Sequence, residues 1–336
     1  MIRGALVGCG FFAKNHLHAW HMIEDAEIVA VCDVNEKSAK TYAESFNIPH
    51  YYTDAERMFK TEQLDFVDIV TQARGHLPLT NLAASHNINV ICQKPLAPGM
   101  KEARQIVQAC RHITFMVHEN FRWQRPMLAV QEASKNIGEL FFGRISFRTA
   151  HDIFAVQPYL ATDERFIIYD LGVHLFDLAR FFFGEASLLS CHTSRINPEI
   201  TAEDVATALL RMKSGAQVIL DMSYASKLEQ DIFPQTLVHL EGRTGSVKLD
   251  ANYKLSISTT TGTVVKDVPP RAFDWTQAPA HAVPESVLTI QRHFVDCLAK
   301  GKQPDTSGED NLKTLELTFG AYQAEEQGQT LSLNSA

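Results

Sequence analysis

The chain has 336 residues, 45% hydrophobic and 21% charged, with a formal net charge of −8. That length allows two domains with sizeable cores, and the acidic balance argues against a general nucleic-acid or anionic-membrane surface. No apolar run reaches membrane-spanning length, and the six scattered cysteines lack metal-ligand spacing and read as reduced core residues of a cytoplasmic protein.

Ile2 to Val7 reads as a short buried strand, and no signal peptide is expected before it. Gly8-Cys9-Gly10-Phe11-Phe12-Ala13 follows as a turn, then Lys14 to Ile23 as a helix and Glu27 to Cys32 as a second strand with Asp33 at its end. Each part has a physical reason in dinucleotide binding. Gly8 permits the tight turn, Gly10 lets the backbone approach a pyrophosphate, and Ala13 lets the helix sit close on the strand. The helix N-terminus offers unpaired N–H groups to the phosphates. Asp33 stands where a carboxylate accepts hydrogen bonds from an adenosine ribose.

Glu36 to Phe46 is a predicted helix, Asp65 to Thr71 a strand, His76 to His86 a helix and Ile88 to Cys92 a strand. Gly99 to Arg111 is a helix and Ile113 to Val117 a strand. This alternation predicts a Rossmann-type, doubly wound parallel sheet over residues 1–120, with ligands at the carboxyl ends of its strands. Thr71-Gln72, Gln93-Lys94 and His118-Glu119-Asn120 all fall at such ends.

The rhythm then changes. Helices are predicted at Pro126 to Ile137 and Leu171 to Phe183, with an irregular stretch from Ala150 to Ile167. Strands are predicted at Leu140 to Thr149, Leu188 to Thr193, Asp204 to Met212, Ala216 to Tyr224, Thr236 to Leu240 and Val247 to Leu249. A hairpin follows about Gly262, then helices at Glu285 to Leu298 and Asp310 to Gln327. The expectation is an α+β domain over 121–304 built on a large, mainly antiparallel open sheet. Its open face is expected to make a homodimer or homotetramer.

Lys94 precedes Pro95 at a strand end. It is either a surface lysine or a group whose ammonium hydrogen-bonds a substrate hydroxyl and stabilises a developing alkoxide. Asp170 and His174 share a helix face with Asp177. Asp170 is an N-cap and His174 a core histidine in the plain reading. In the functional one His174 is the general base and Asp170 holds substrate or orients it. Asp177, next to Arg180, reads as structural. Asn120 and Arg122 suit carboxamide or sugar-hydroxyl contacts, unless Arg122 forms an ion pair at the domain junction. Asp152 and Arg165 lie in the irregular stretch and are substrate candidates. His16, His18 and His21 share a helix but lack a carboxylate partner, so no metal is expected.

These residues together resemble the Gfo/Idh/MocA oxidoreductase family. The fingerprint from Gly8 to His16, Gln93-Lys94-Pro95 in place of the family's Glu-Lys-Pro, Asp170 to His174, and Ser307-Gly308-Glu309-Asp310 before the last helix carry the resemblance. It implies an NAD-dependent dehydrogenase of a sugar or polyol, with NADP less favoured because Asp33 would repel a 2′-phosphate. It carries Lys94 and His174 over as the proton-handling pair, with Asp170 beside them. It implies cofactor contacts around Phe11, Phe12, Asp33, Thr71, His76, Gln93, Lys94 and Asn120. It also implies that a C-terminal helix (305–330) packs back on the nucleotide domain. Gln93 departs from the family's Glu and alters the electrostatics around Lys94, and Gln72 stands where proline is common. Segments including Gln157-Pro158-Tyr159 and Val117 to Arg122 are similar to a subgroup that oxidises a branched aldose at C1 to its lactone. The alternatives are oxidation of a polyol or inositol to a ketone, and a redox sensor that binds dinucleotide without turnover.

Overall fold

The computed structural model describes residues 1–276 and 283–333. They divide into two compact units, Met1–Asn120 with Val287–Lys313, and Phe121–Ser286 with Thr314 onward.

In chain order the first unit contains β1 (Ile2–Val7), α1 (Ala13–His21), β2 (Ala26–Cys32), α2 (Glu36–Ser45), β3 (His50–Tyr52) and α3 (Ala55–Thr61). It continues through β4 (Phe66–Ile69), α4 (His76–Ser85), β5 (Asn89–Gln93), α5 (Met100–Cys110) and β6 (Phe115–His118). The sheet order is β3-β2-β1-β4-β5-β6 and every pairing is parallel. Strands β4 and β6 are buried along their whole length, as expected of a sheet covered on both faces. The order reverses between β1 and β4, which opens a crevice at the carboxyl ends of these strands.

Two elements here lie outside the sequence reading. Strand β3 is His-Tyr-Tyr, too short to show a period of two. Helix α3 starts at an N-cap, Asp54, whose carboxylate accepts the Glu56 and Arg57 N–H groups at 2.8 and 3.2 Å.

The second unit begins with α6 (Arg125–Ser134), β7 (Leu140–Arg148) and α7 (Val173–Phe183). Strands β8 (Ala186–Ser194), β9 (Val205–Met212), β10 (Gln217–Ser223), β11 (Leu237–Gly242), β12 (Gly245–Asp250), β13 (Lys254–Thr259) and β14 (Gly262–Asp267) follow. The chain closes with α8 (Val283–Lys300), α9 (Gly308–Gln327) and β15 (Leu331–Ser332). The nine-stranded sheet runs β14-β13-β12-β11-β7-β10-β9-β8-β15. It is antiparallel except where β10 pairs with β7. Met127 and Val130 of α6, Leu175 and Leu178 of α7, and Leu317 and Ala321 of α9 pack into one core with Ile145, Leu210 and Leu220 of the sheet. Along β9 the buried residues alternate with exposed Thr207, Leu209 and Arg211, so these helices leave the opposite face of the sheet bare.

The last two helices differ from the expected division at 304. From Val287 onward α8 belongs to the first unit, where Phe294 meets Phe66 edge-on at 5.7 Å. Only the first turn of α9 belongs there, with Gly308 packed so tightly that a Cβ would meet the Phe115 ring at 2.5 Å. From Thr314 the helix turns Leu317, Ala321 and Ala324 into the core of the second unit. The segment expected to pack back on the nucleotide domain (305–330) is thus shared, with residues up to Lys313 in the first unit and those from Thr314 in the second.

Candidate active site

In the first unit the candidate nucleotide site lies at the carboxyl ends of β1, β2 and β4. Gly8 has φ +101°, and a Cβ there would lie 2.6 Å from the Val70 carbonyl oxygen, so the turn admits only glycine. A Cβ on Gly10 would meet nothing within 4 Å, which leaves the space a pyrophosphate requires. Helix α1 has Phe12 at its N-cap without a side-chain cap; the Ala13 and Asn15 N–H groups donate to the Gly10 and Phe12 carbonyls at 3.2 and 3.0 Å, and the partial positive charge of the helix N-terminus is what favours an anion here. Ala13 is fully buried under the helix, and Phe11 is exposed beside the turn.

A cavity of about 480 Å³ opens at this point, lined by Gly8, Asp33, Val34, Thr53, Asp54 and Thr71 among others. The Asp33 carboxylate is held at its wall by the Cys9 N–H at 2.7 Å and the Asn35 N–H at 2.8 Å. Each oxygen keeps a lone pair for a ribose hydroxyl. Burial, then the Asp33 charge, pushes the Cys9 and Cys32 thiols up to about 12, so both stay protonated. Asp54 supplies a second carboxylate to the wall, which strengthens the case against a 2′-phosphate. Thr53 and Asp54 were missed in the sequence because they sit between the two unpredicted elements. An Asp placed as N-cap was the one available signal.

His76 does not face this cavity. It is fully buried, with Nδ1 3.0 Å from the Leu96 carbonyl oxygen and Nε2 3.0 Å from that of Thr71. Burial lowers its pKa. Its side chain ties the turn after β4 to the turn after Lys94-Pro95. The Thr71 hydroxyl donates to the Gln72 carbonyl at 3.3 Å.

Gln93 ends β5 and aims Lys94. Its Oε1 accepts the Lys94 backbone N–H at 2.7 Å, and its Nε2 lies 3.1 Å from His16 Nε2. His16 Nδ1 in turn lies 2.7 Å from Asp68 Oδ2, which also accepts the Trp20 indole N–H at 2.7 Å. His16 and Asp68 are fully buried. His16 is thus a structural partner that the sequence reading left aside as an improbable metal ligand. Asn120 is buried just beyond β6, at the same end of the sheet as Gln93.

In the second unit a π-helical turn, Ile168–Gly172, runs directly into α7. The Asp170 N–H donates to the Phe166 carbonyl at 2.8 Å, so Asp170 lies inside the helix and is not its N-cap. A Cβ on Gly172 would meet Met222 Sδ at 3.2 Å, so a small residue fits the close approach to β10. The entry to the turn is fixed by Glu203, whose Oε1 accepts the Phe166 and Ile168 N–H groups and the Tyr322 hydroxyl at 3.3, 3.2 and 2.7 Å. Such wide turns recur at functional sites because they re-aim side chains on an otherwise regular helix. His174 is buried and its ring stacks on Phe121 at 3.7 Å. The Asp170 charge acts on two tyrosines that the sequence reading did not single out. Burial and then Asp170 push the Tyr159 phenol up to about 12, and the same two causes raise Tyr224 still further. Both are neutral hydroxyls beside a carboxylate.

Three substrate candidates have other duties. The Arg122 guanidinium grips Asp177 through Nε at 2.7 Å and through Nη2, and lies 5.6 Å above the Phe181 ring. Asp152 caps a short turn by accepting the Phe154 and Ala155 N–H groups at 3.1 and 3.2 Å. Arg165 lies over the Phe319 and Tyr322 rings at 5.3 and 5.2 Å. Charged residues near a predicted site look alike in a sequence whether they meet substrate or one another. Among the described residues, no three His, Cys, Asp or Glu side chains are grouped to hold a metal ion.

Comparison with known proteins agrees with this architecture. Residues 2–121 match the model of an oxidoreductase family with an NAD-binding Rossmann fold, and residues 131–248 match the GFO/IDH/MocA C-terminal domain. The chain is 48% identical to a D-apiose dehydrogenase of Paraburkholderia graminis, over 99% of this chain and 90% of that protein. It is 44% identical to the D-apiose dehydrogenase of Rhizobium rhizogenes, over 99% and 98%. An oxidoreductase from Agrobacterium radiobacter, solved in complex with NAD+, L-tartaric acid and magnesium, superposes with a TM-score of 0.97 at 44% identity over 98% of each chain.

Proposed function

The chain belongs to the Gfo/Idh/MocA oxidoreductase family, and on that premise we propose that it is an NAD-dependent dehydrogenase that oxidises D-apiose at C1 to the lactone. The observation that carries the substrate is the near full-length similarity to two D-apiose dehydrogenases. The cofactor fits the residues present. Gly8 and Gly10 leave room for a pyrophosphate, and Asp33 faces the adjoining cavity.

NAD, when bound, supplies the two-electron acceptor. The chain's own residues manage the proton and the charge. His174 takes the proton from the C1 hydroxyl as C1 gives up its hydrogen with the bonding pair and the carbonyl forms. Lys94 donates a hydrogen bond to the oxygen while negative charge builds there. Asp170 holds a sugar hydroxyl or orients His174, and Tyr159 and Tyr224 offer further hydroxyl contacts. The test is NADH formation by purified protein with NAD and NADP in parallel on D-apiose, common aldoses and inositols. D-apiose with NAD is expected to give the strongest signal and a lactone. A ketone from an inositol would replace this substrate with a polyol. At least a tenfold preference for NADP in kcat/KM, roughly 1.4 kcal/mol, would remove Asp33 from cofactor selection.

We place the protein in the cytoplasm, a reading supported by six buried, free cysteines. No described helix is long and apolar enough to cross a membrane. We also assign the bare face of the nine-stranded sheet to a homo-oligomer. On that face Asp221, 4% exposed, holds Ser146 and Arg144 at 2.8 Å and Arg148 at 3.4 Å, beside outward Leu209. A dimer or tetramer is expected in analytical ultracentrifugation, and a monomer would overturn the assignment.

A further inference from the structure

We propose that Asp68, His16 and Gln93 form a one-way hydrogen-bond relay that positions Lys94, and that Gln93 is matched to a neutral His16 protonated on Nδ1. The argument rests on the directions of the bonds. A backbone N–H can only donate, so the Gln93 atom 2.7 Å from the Lys94 nitrogen is the amide oxygen. The amide NH2 therefore points at His16 Nε2, 3.1 Å away, and that nitrogen must accept. The ring proton then sits on Nδ1 and is donated to Asp68 Oδ2 at 2.7 Å. The Trp20 indole N–H, 2.7 Å from the same oxygen, pins the carboxylate from a second side.

Each link removes a freedom from the next. Asp68 fixes the ring, the ring fixes the amide, and the amide oxygen fixes the peptide of Lys94. Partners of this kind, one step removed from the reacting group, set the orientation and basicity of the groups they hold. Burial makes the arrangement selective. Asp68 and His16 are inaccessible to solvent and Gln93 is nearly so, so no water can repair a mismatch. A glutamate at position 93 has no proton to give and would set a carboxylate lone pair against the His16 Nε2 lone pair. The site could accept it only with a doubly protonated His16. The groups facing His16 are Asp68 from β4, Gln93 from β5, the His118 ring at 4.2 Å from β6 and the Phe12 ring at 5.4 Å. Cys92, close enough to feel the Asp68 charge, is held neutral by burial. An imidazolium in Gln93→Glu would lie between two carboxylates.

The proposal deepens the dehydrogenase reading through Lys94, but its first test does not depend on turnover. Nitrogen-15 NMR of histidine-labelled protein, with His16 assigned by its loss in His16→Gln, reports where the ring proton lies. Wild-type His16 is expected to carry its single ring proton on Nδ1, facing Asp68. In Gln93→Glu the ring is expected to carry a second proton, on Nε2 facing the new carboxylate. In that variant kcat should fall ~10-fold relative to wild type and its pH profile should differ from the wild-type one. A wild-type ring protonated on Nε2, or a folded Gln93→Glu with the wild-type pH profile, overturns the relay. If that variant fails to fold, the wild-type spectrum still decides the bond directions. No turnover by wild type on any sugar would overturn the dehydrogenase reading alone.

Discussion

Lys94→Ala is expected to lower kcat by ~100-fold or more while NAD affinity stays within about threefold of wild type, the size of loss expected when a proton-handling group is removed. Under the proposed function the nucleotide is held mainly by the Gly8 turn, the start of α1 and Asp33. The Lys94 side chain follows the end of β5, and its backbone is fixed on one side by Gln93 and on the other by Pro95. In the proposed mechanism its contribution falls on the oxygen that becomes negative as the C1–H bond breaks, and such a contact counts more in the transition state than in the bound substrate. The loss should therefore appear in kcat and in kcat/KM together. Steady-state kinetics with calorimetry checks this, and near-normal turnover in the variant would remove Lys94 from the mechanism.

The second large effect is on stability. Asp177 is fully buried in α7, one turn beyond His174. Its carboxylate takes two hydrogen bonds from Arg122 and one from the Thr314 hydroxyl at 3.0 Å, and Arg180 lies 3.9 Å away. Asp177→Ala removes the carboxylate that the nearly buried Arg122 grips through Nε and Nη2. Arg180 is cushioned by Glu185, at 3.0 and 3.2 Å, and by Thr314 at 2.8 Å. Removing one partner of a buried pair costs about 3–5 kcal/mol, because a buried charge loses the hydrogen-bonded counter-charge that offset its desolvation. The urea midpoint of the second unit should fall accordingly, with Asp177→Asn intermediate since the amide still accepts hydrogen bonds. An unchanged midpoint in Asp177→Ala would show that the network is not what fastens α7.

The parts of this molecule that could be read from the sequence are those governed by local rules. Gly8 and Gly10 announce a turn that a side chain would block, and Asp33 follows at the expected distance along the strand. The buried strands and amphipathic helices of both units show their periods openly, and most ends fall within a few residues of the prediction. What the sequence hid depends on partners distant along the chain. Arg122 and Asp177 are 55 residues apart, and nothing local says that one neutralises the other. His16 and Gln93 are separated by 77 residues, so His16 read as an idle helix histidine. His76 lies between two turns whose approach no pattern predicts. The last helix divides at Thr314 between the two units, and no local pattern in its sequence marks that point.

The most direct test of the central claim is hydride origin. D-apiose carrying deuterium at C1 is incubated with purified enzyme and NAD, and both products are examined by mass spectrometry. The account predicts one deuterium in the reduced nicotinamide and a lactone that has lost the label. Unlabelled NADH accompanied by a ketone that keeps its C1 deuterium would show that a secondary alcohol is oxidised instead, and would contradict the assignment of C1 as the reacting carbon.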